Sequence, residues 1–510
     1  MVTDKKKNVA DSSKDSDSIP SLRKSMIQGS LWMVAMRWSI RGIGLVSTII
    51  LARLLVPADF GLVAMAMLLV GLLDTLVAFG VDIALIQREK VERSHFDTAW
   101  TIQVLQGVFI GVTLVICAPL AARYFSDARI IPLIYVIAVG AAAQGFTNIG
   151  IVAFRKDLDF VREFRFMVGR KLVTFVVTIG MAFWLRNYWA LAMGMVTGRL
   201  LSVMLSYIMH PYRPKFSLEA VKDIWSFSQW MLIINIGNYI GEKIDEFIVG
   251  GIANAEKLGL YTISSEISSL PTTEILYPIS RALFPGYAKL ASDHDRLANA
   301  YLNVIGFISI FAIAAGVGLS LVATDLIQIL LGDKWADAAP LMQWLAIFGI
   351  FRAIYGQAGN VLIVLGHINR LAMITWIQII LLVPLAVFMG ERYGLIGIAQ
   401  IKNLVAIFVM AMIFAALCNT GLVTIRQILG RVWRPLIAGV VMAAAVNALR
   451  DETIHMAAIG LFRDVSIGAV TYTVSLLLLW RLSGRPSGAE SFILEKVFAF
   501  VHHARFRSKR

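Results

Sequence analysis

The chain has 510 residues, 58% of them hydrophobic and only 16% charged, with a mean hydropathy of +0.74 and a formal net charge of +14. That balance excludes a soluble globular protein of this length and identifies a polytopic membrane protein. The two cysteines, Cys117 and Cys418, lie in separate apolar segments and support neither a disulfide framework nor a metal site.

Residues 1–24 are polar, too long and too acidic for the n-region of a signal peptide, and no small-residue cleavage site follows the first apolar run. The segment reads as a cytoplasmic tail, and the first helix as a retained anchor. Windows of about 20 apolar residues then predict about fourteen transmembrane helices. They lie near 27–52, 60–83, 98–121, 130–153, 167–185, 188–209, 227–251, 258–284, 299–322, 338–362, 370–389, 394–418, 433–449 and 461–481. Helix one carries Arg37 and Arg41 one turn apart. Each guanidinium at bilayer depth costs roughly 2.5–3.5 kcal/mol on insertion scales, so the pair needs a watery cavity or a partner on another helix.

The termini and even-numbered loops hold roughly 32 of the 47 lysines and arginines. By the positive-inside rule both termini are cytoplasmic. The basic charge is thereby accounted for by topology and anionic lipid, without nucleic acid. Loops are short, and the tail 483–510 places Phe492, Ile493, Val497, Phe500 and Val501 at near-helical spacing, as an interfacial helix does.

The two halves resemble each other. Phe60-Gly-Leu-Val-Ala-Met matches Leu258-Gly-Leu-Tyr-Thr-Ile at an offset of 198 residues, and Ile83-Ala-Leu-Ile-Gln matches Arg281-Ala-Leu-Phe-Pro at the same offset. Pro132-Leu133 matches Pro340-Leu341 at 208, laying Gln144 on Arg352. The expected architecture is all-α: two six-helix bundles, 25–210 and 226–420, repeated in parallel around a central cavity, followed by helices thirteen and fourteen at 432–482.

Polar residues at membrane depth fall in stripes. Helix seven carries Asn235, Asn238, Glu242, Asp245 and Glu246; helix two Asp74; helix four Gln144 and Asn148; helix six Arg199; helix ten Arg352; helix twelve Lys402. Intramembrane charge marks a pathway or site by default. The plainer alternatives are pairing of Lys243 with Glu246 or Glu242 on its own helix, and snorkelling of Arg199 to a nearby helix end. Arg37, Arg41 and Arg352 have no acidic neighbour within a turn, which leaves partners on other helices as their structural alternative.

Three segments, Leu51-ARLLVPADFGLVAM-Ala66, Phe79-GVDIALIQ and Leu258-GLYTISSEISSLPTTEILYPISRALFPGYAKLASDHDRL, resemble signature stretches of Wzx-type polysaccharide repeat-unit flippases. These belong to the multidrug/oligosaccharidyl-lipid/polysaccharide exporter superfamily, and the chain is most similar to its colanic-acid and exopolysaccharide members from about residue 25 to 480. The resemblance implies a transporter in the bacterial inner membrane. It moves undecaprenyl-pyrophosphate-linked oligosaccharide by alternating access through a cationic cavity. On that footing Arg37, Arg41, Arg352, Arg199 and Lys402 contact pyrophosphate or adjacent sugars, because the guanidinium fork suits phosphate oxygens. Gln144, Asn148, Asn235 and Asn238 bond hydroxyls. Glu242, Asp245, Glu246 and Asp74 are candidates to couple a proton or sodium ion, with no other cofactor. By analogy with lipid II flippases, helices thirteen and fourteen line a groove for the polyprenyl tail. The implied partners are a polysaccharide polymerase and a chain-length regulator, with the flippase itself a monomer.

The rivals are a multidrug cation antiporter of the same superfamily and a membrane glycosyltransferase or polymerase. No large extracytoplasmic loop, nucleophile–base constellation or phosphate-cradling motif supports an enzyme, and the seven histidines are expected in loops or tails without metal spacing.

Overall fold

The computed structural model describes residues 7–77, 85, 92–157, 159–450, 457–486 and 488–496, with side chains at 7–30, 222–235, 238 and 275–282 outside the description. The last residues of predicted helix two, the tail beyond 496 and the side chains of Asn235 and Asn238 therefore lie outside it. Among the described residues there is no strand. The helices are α1 (Lys7–Leu54), α2 (Pro57–Leu76), α3 (Arg93–Tyr124), α4 (Ile130–Gln144), α5 (Val152–Lys156), α6 (Phe160–Leu185) and α7 (Trp189–Met209). After an extended segment come α8 (Val221–Ile252), α9 (Ala255–Leu290), α10 (His294–Leu321), α11 (Ala323–Leu330), α12 (Ala338–Val364), α13 (Ile368–Cys418), α14 (Ile425–Ala448) and α15 (Ala457–Leu482).

Every predicted segment overlaps one of these helices. Ten described helices are long and apolar enough to cross a membrane, or eleven counting a bent pair. The distance from the fourteen expected has three physical origins. The fourth segment is broken: α4 and the Ile149–Lys156 helix meet at 66°. The eleventh and twelfth form one 51-residue helix, α13, bent at Gly394. The seventh and eighth, α8 and α9, carry too many polar side chains to read as apolar spans. His95, expected in a loop, sits in the first turn of α3, where its Nδ1 accepts from Glu92 N at 3.2 Å.

Local chemistry sets several ends. Pro57 opens α2 behind an extended Val56, its missing N–H costing nothing at that position. Asp59 in the same turn accepts from Val56 N at 3.2 Å and from Tyr188 N at 3.0 Å, fastening the starts of α2 and α7. Thr424 and Gln427 form a reciprocal capping box on α14.

The chain divides into two compact units, residues 1–239 and 240–510. In the first, α6 packs between α1 and α7, α7 packs on α4, and α4 on α3. Gly107 and Gly111 of α3 let the backbones meet, since a Cβ at Gly107 would stand 2.8 Å from Gly145 Cα. In the second, α12 packs against α9, α10 and α13, and α14 packs between α10 and α15. The pairings repeat: α3 on α4 corresponds to α10 on α12, and α4 on α7 to α12 on the second half of α13. The starts of α2 and α9 are 198 residues apart and those of α4 and α12 are 208 apart, the offsets of the sequence matches.

Candidate functional site

The acidic cluster of α8 is matched by cations within the second unit. Glu242 accepts a hydrogen bond from Arg352 Nη2, near the middle of α12. Asp245 accepts one from Lys402 Nζ, on the second half of α13, and another from the Tyr261 hydroxyl of α9 at 2.6 Å. Glu246 accepts from Lys243 at 2.5 Å, the same-helix pairing that the i,i+3 spacing allows.

These pairs differ in burial. The Arg352 and Glu242 side chains are 49% and 57% exposed, so their attraction is screened and exchangeable. Lys402 and Asp245 are 11% and 2% exposed. Lys402 Nζ also lies 4.4 Å from the centre of the Phe348 ring, a cation–π contact that replaces part of its lost hydration. A buried ion pair of this kind is expensive to open from one side only. Beside it, the Asn403 amide donates to Trp344 O and Ala399 O at 2.9 and 2.8 Å.

In the first unit, Arg37 and Arg41 are half-buried on α1. Gly44 falls on the same helical face, and a Cβ built there would stand 3.9 Å from Lys171 Nζ of α6. The arginine face is thus turned toward a further cation that the apolar-window reading passed over. Arg199 packs its stem against Gly140 of α4 and acts electrostatically on Asp74.

A cavity of about 650 Å³ lies among α3, the α4–α5 break, α6 and α7. Asp74, Gln144 and Asn148 line it, together with Gln103, Gln106, Arg155, Arg170 and Ser202, which the stripe analysis did not single out. The break supplies the signal. Ending α4 at Gln144 frees backbone carbonyls, and Gln103 Nε2 takes those of Gly145 and Thr147 at 3.3 and 3.2 Å. Asn148 is fully buried and committed to the backbone. Its Oδ1 accepts from Gly150 N at 2.9 Å and its Nδ2 donates to Tyr212 O at 2.7 Å.

Tyr212 belongs to the extended segment between α7 and α8, which is strapped onto α3. Asp97 accepts from the Tyr212 hydroxyl and from Lys215 N, both at 2.7 Å. Thr101 and Thr98 accept from Ser217 N and Ala220 N at 3.0 and 3.2 Å. Asp97, Thr98 and Thr101 share a helical face, a pattern legible in sequence once a strap is known to lie there. The buried Asp97 carboxylate and the loss of water push the Tyr212 phenol well above its ordinary value, burial being the larger cause.

A second cavity, of about 910 Å³, is a mainly apolar groove of the second unit between α10, α14 and α15. Ile493 and Leu494, from the helical turns at 489–496, reach its wall, and Glu490 of the same segment pairs with buried Arg434 at 3.1 Å.

Comparison with known proteins gives this arrangement a setting. Residues 50–340 match the family described as polysaccharide biosynthesis protein. The chain is 24% identical to the lipopolysaccharide biosynthesis protein WzxC of Escherichia coli (strain K12), over 82% of this chain and 84% of that one. It is 25% identical to the succinoglycan biosynthesis transport protein ExoT of Rhizobium meliloti (strain 1021), over 90% and 94%. Its fold is similar to that of the lipid II flippase MurJ in an inward closed conformation, with a TM-score of 0.69 at 15% identity, covering 88% of this chain and 99% of that one.

Proposed function

The chain belongs to the polysaccharide biosynthesis protein family, as a Wzx-type member of the exporter superfamily, and from that premise we propose that it flips lipid-linked oligosaccharide repeat units across the membrane by alternating access. It is a multi-pass membrane protein and a transporter, not an enzyme. The finer reading is an undecaprenyl-pyrophosphate carrier in a bacterial inner membrane, both termini cytoplasmic, feeding a polymerase and its chain-length regulator. The bundles 25–210 and 226–420 are the two moving bodies of that mechanism, with 432–482 appended.

The observation that carries the site is the Arg352–Glu242 pair. Arg352 stands near the middle of α12, Glu242 in the C-terminal part of α8, and both are half-exposed, so a pyrophosphate can displace Glu242 from the guanidinium at little cost. Arginine's fork then holds phosphate oxygens at two points. Arg37 and Arg41, with Lys171 at their face, are the cations that the first unit offers to phosphate oxygens. A released Glu242 is left needing a positive charge, and a proton or sodium ion meets that need. Head-group binding and ion uptake are thereby coupled in one displacement. Lys402 and Asp245 stay locked together and act as the pivot of the second unit. Asn148 serves as a brace, not a sugar contact. The polyprenyl chain rests in the apolar groove beside α14 and α15, where no charge has to be moved.

The test replaces Arg37, Arg41 and Arg352 singly with glutamine, with expression verified. Lost surface polysaccharide and lipid-linked oligosaccharide held in the inner leaflet are expected. Normal polymer from all three variants would overturn the assignment. Unchanged drug susceptibility on gene deletion, beside lost polysaccharide, separates this reading from a multidrug antiporter.

A further inference from the structure

The cavity of the first unit has a chemistry that the pyrophosphate site does not use. At about 650 Å³ it is the size of a small-molecule site. Gln103 and Gln106 enter from α3, Gln144 from the end of α4, Arg170 from α6 and Ser202 from α7. Carboxamides offer a donor and an acceptor on one planar group, the complement of a sugar hydroxyl. Gln103 is fixed by the two carbonyls it caps. Gln106 Nε2 is buried and, among the described residues, has no hydrogen-bond partner, so it is a donor awaiting an acceptor.

Charge narrows the ligand further. Arg155, at the cavity wall, is neutralised by Glu163, and Asp74 is under the influence of Arg199. Arg170 is different. Its Nη1 donates to Ser202 Oγ at 3.3 Å and its Nη2 lies 3.9 Å from Met167 Sδ, while no carboxylate among the described residues stands within ion-pair distance. A guanidinium held by neutral partners inside a helix bundle is a preformed site for an oxyanion.

We infer that this cavity receives a sugar bearing a carboxylate, its hydroxyls on the glutamines and its carboxylate on Arg170. The inference rests on the glycan-transport reading and makes the first unit a selector for acidic repeat units. A phosphate would offer the same oxyanion chemistry, so the experiment separates the two.

Purified full chain in lipid nanodiscs is titrated calorimetrically with a glucuronate-containing disaccharide, an uncharged glucose disaccharide and inorganic pyrophosphate. The acidic disaccharide is expected to bind at least tenfold tighter than the neutral one. Arg170→Gln abolishes that preference and leaves pyrophosphate affinity unchanged, whereas Arg352→Gln does the reverse. Gln106→Leu weakens both disaccharides and tests the cavity without touching its charge. An acidic preference that survives Arg170→Gln, or a loss of pyrophosphate binding equal to the loss of glucuronate binding in that variant, overturns the inference. Binding is scored here without transport, so failure of this result leaves the export assay above to stand or fall alone.

Discussion

Asn148 joins two features that lie far apart in the chain: it caps the break in the fourth span through Gly150 N at 2.9 Å and grips the strap through Tyr212 O at 2.7 Å. The first bond is buried and the second partly so, so removing the amide strands the Gly150 N–H away from water and loosens the strap. Asn148→Ala is expected to destabilise the protein by about 1–3 kcal/mol, the cost of leaving one buried group unpaired. Asn148→Ser, which keeps an N-cap oxygen but loses the reach to Tyr212, should fall between. Thermal unfolding of the detergent-solubilised chain measures both, and a wild-type midpoint for the alanine variant refutes the bracing role.

The Lys402–Asp245 pair predicts a pattern of rescue. Lys402→Met or Asp245→Asn alone leaves one buried charge uncompensated and should cost about 3–5 kcal/mol. The double variant should recover most of that loss, because neither charge remains to be desolvated. Double-mutant analysis by denaturant unfolding reads the coupling directly; additive losses are the contrary result. Arg352→Gln, at a half-exposed pair, is expected to leave stability within about 1 kcal/mol of wild type.

His210 gives the fold a pH dependence. It closes α7, its Nδ1 accepting from Tyr212 N at 3.2 Å, with Gly150 and the Phe154 ring against it. Burial first, then the charges of Arg162 and Arg213, hold its pKa below the ordinary value, with Asp157 opposing. The unfolded chain therefore takes up the proton first on acidification. Stability from this residue is fully present above about pH 6.5 and is lost as pH falls toward the folded-state value. Melting temperatures from about pH 7.5 down to about pH 5 should decline below that point. The His210→Gln variant should show a smaller decline, and an equal slope in both proteins contradicts the assignment.

Gly394 bends α13 with φ 64° and ψ −152°, a backbone region open essentially to glycine alone. Gly394→Ala is expected to cost about 1–3 kcal/mol. The same substitution at Gly356, a helical position with nothing near its Cβ, should be neutral or mildly stabilising. Parallel unfolding curves of the two variants test this, and equal midpoints would rule out strain at the bend.

Much of the architecture was legible because it is written in short-range pattern. Apolar windows located the spans, and the offsets of 198 and 208 residues reappear as the spacing of helix starts. The Lys243–Glu246 pair followed from spacing on one helix. The pairing of Arg352 with Glu242 across 110 positions, and of Lys402 with Asp245 across 157, did not. Helical periodicity tells which side chains share a face but not which helix that face meets. Lys171, Arg170 and the glutamines of α3 stayed outside the polar stripes for the same reason.

The sequence by itself determined that this chain spans a membrane many times, that it is built on a repeat, and that it carries charge where hydrocarbon forbids it unpaired. Those properties depend on transfer free energy and period, which are sums over neighbouring residues. Only the tertiary structure decided which charges neutralise one another, which stay exchangeable, and where a broken helix opens a polar cavity. Those are matters of distance and desolvation between residues far apart in the chain, and they arise only when the helices pack.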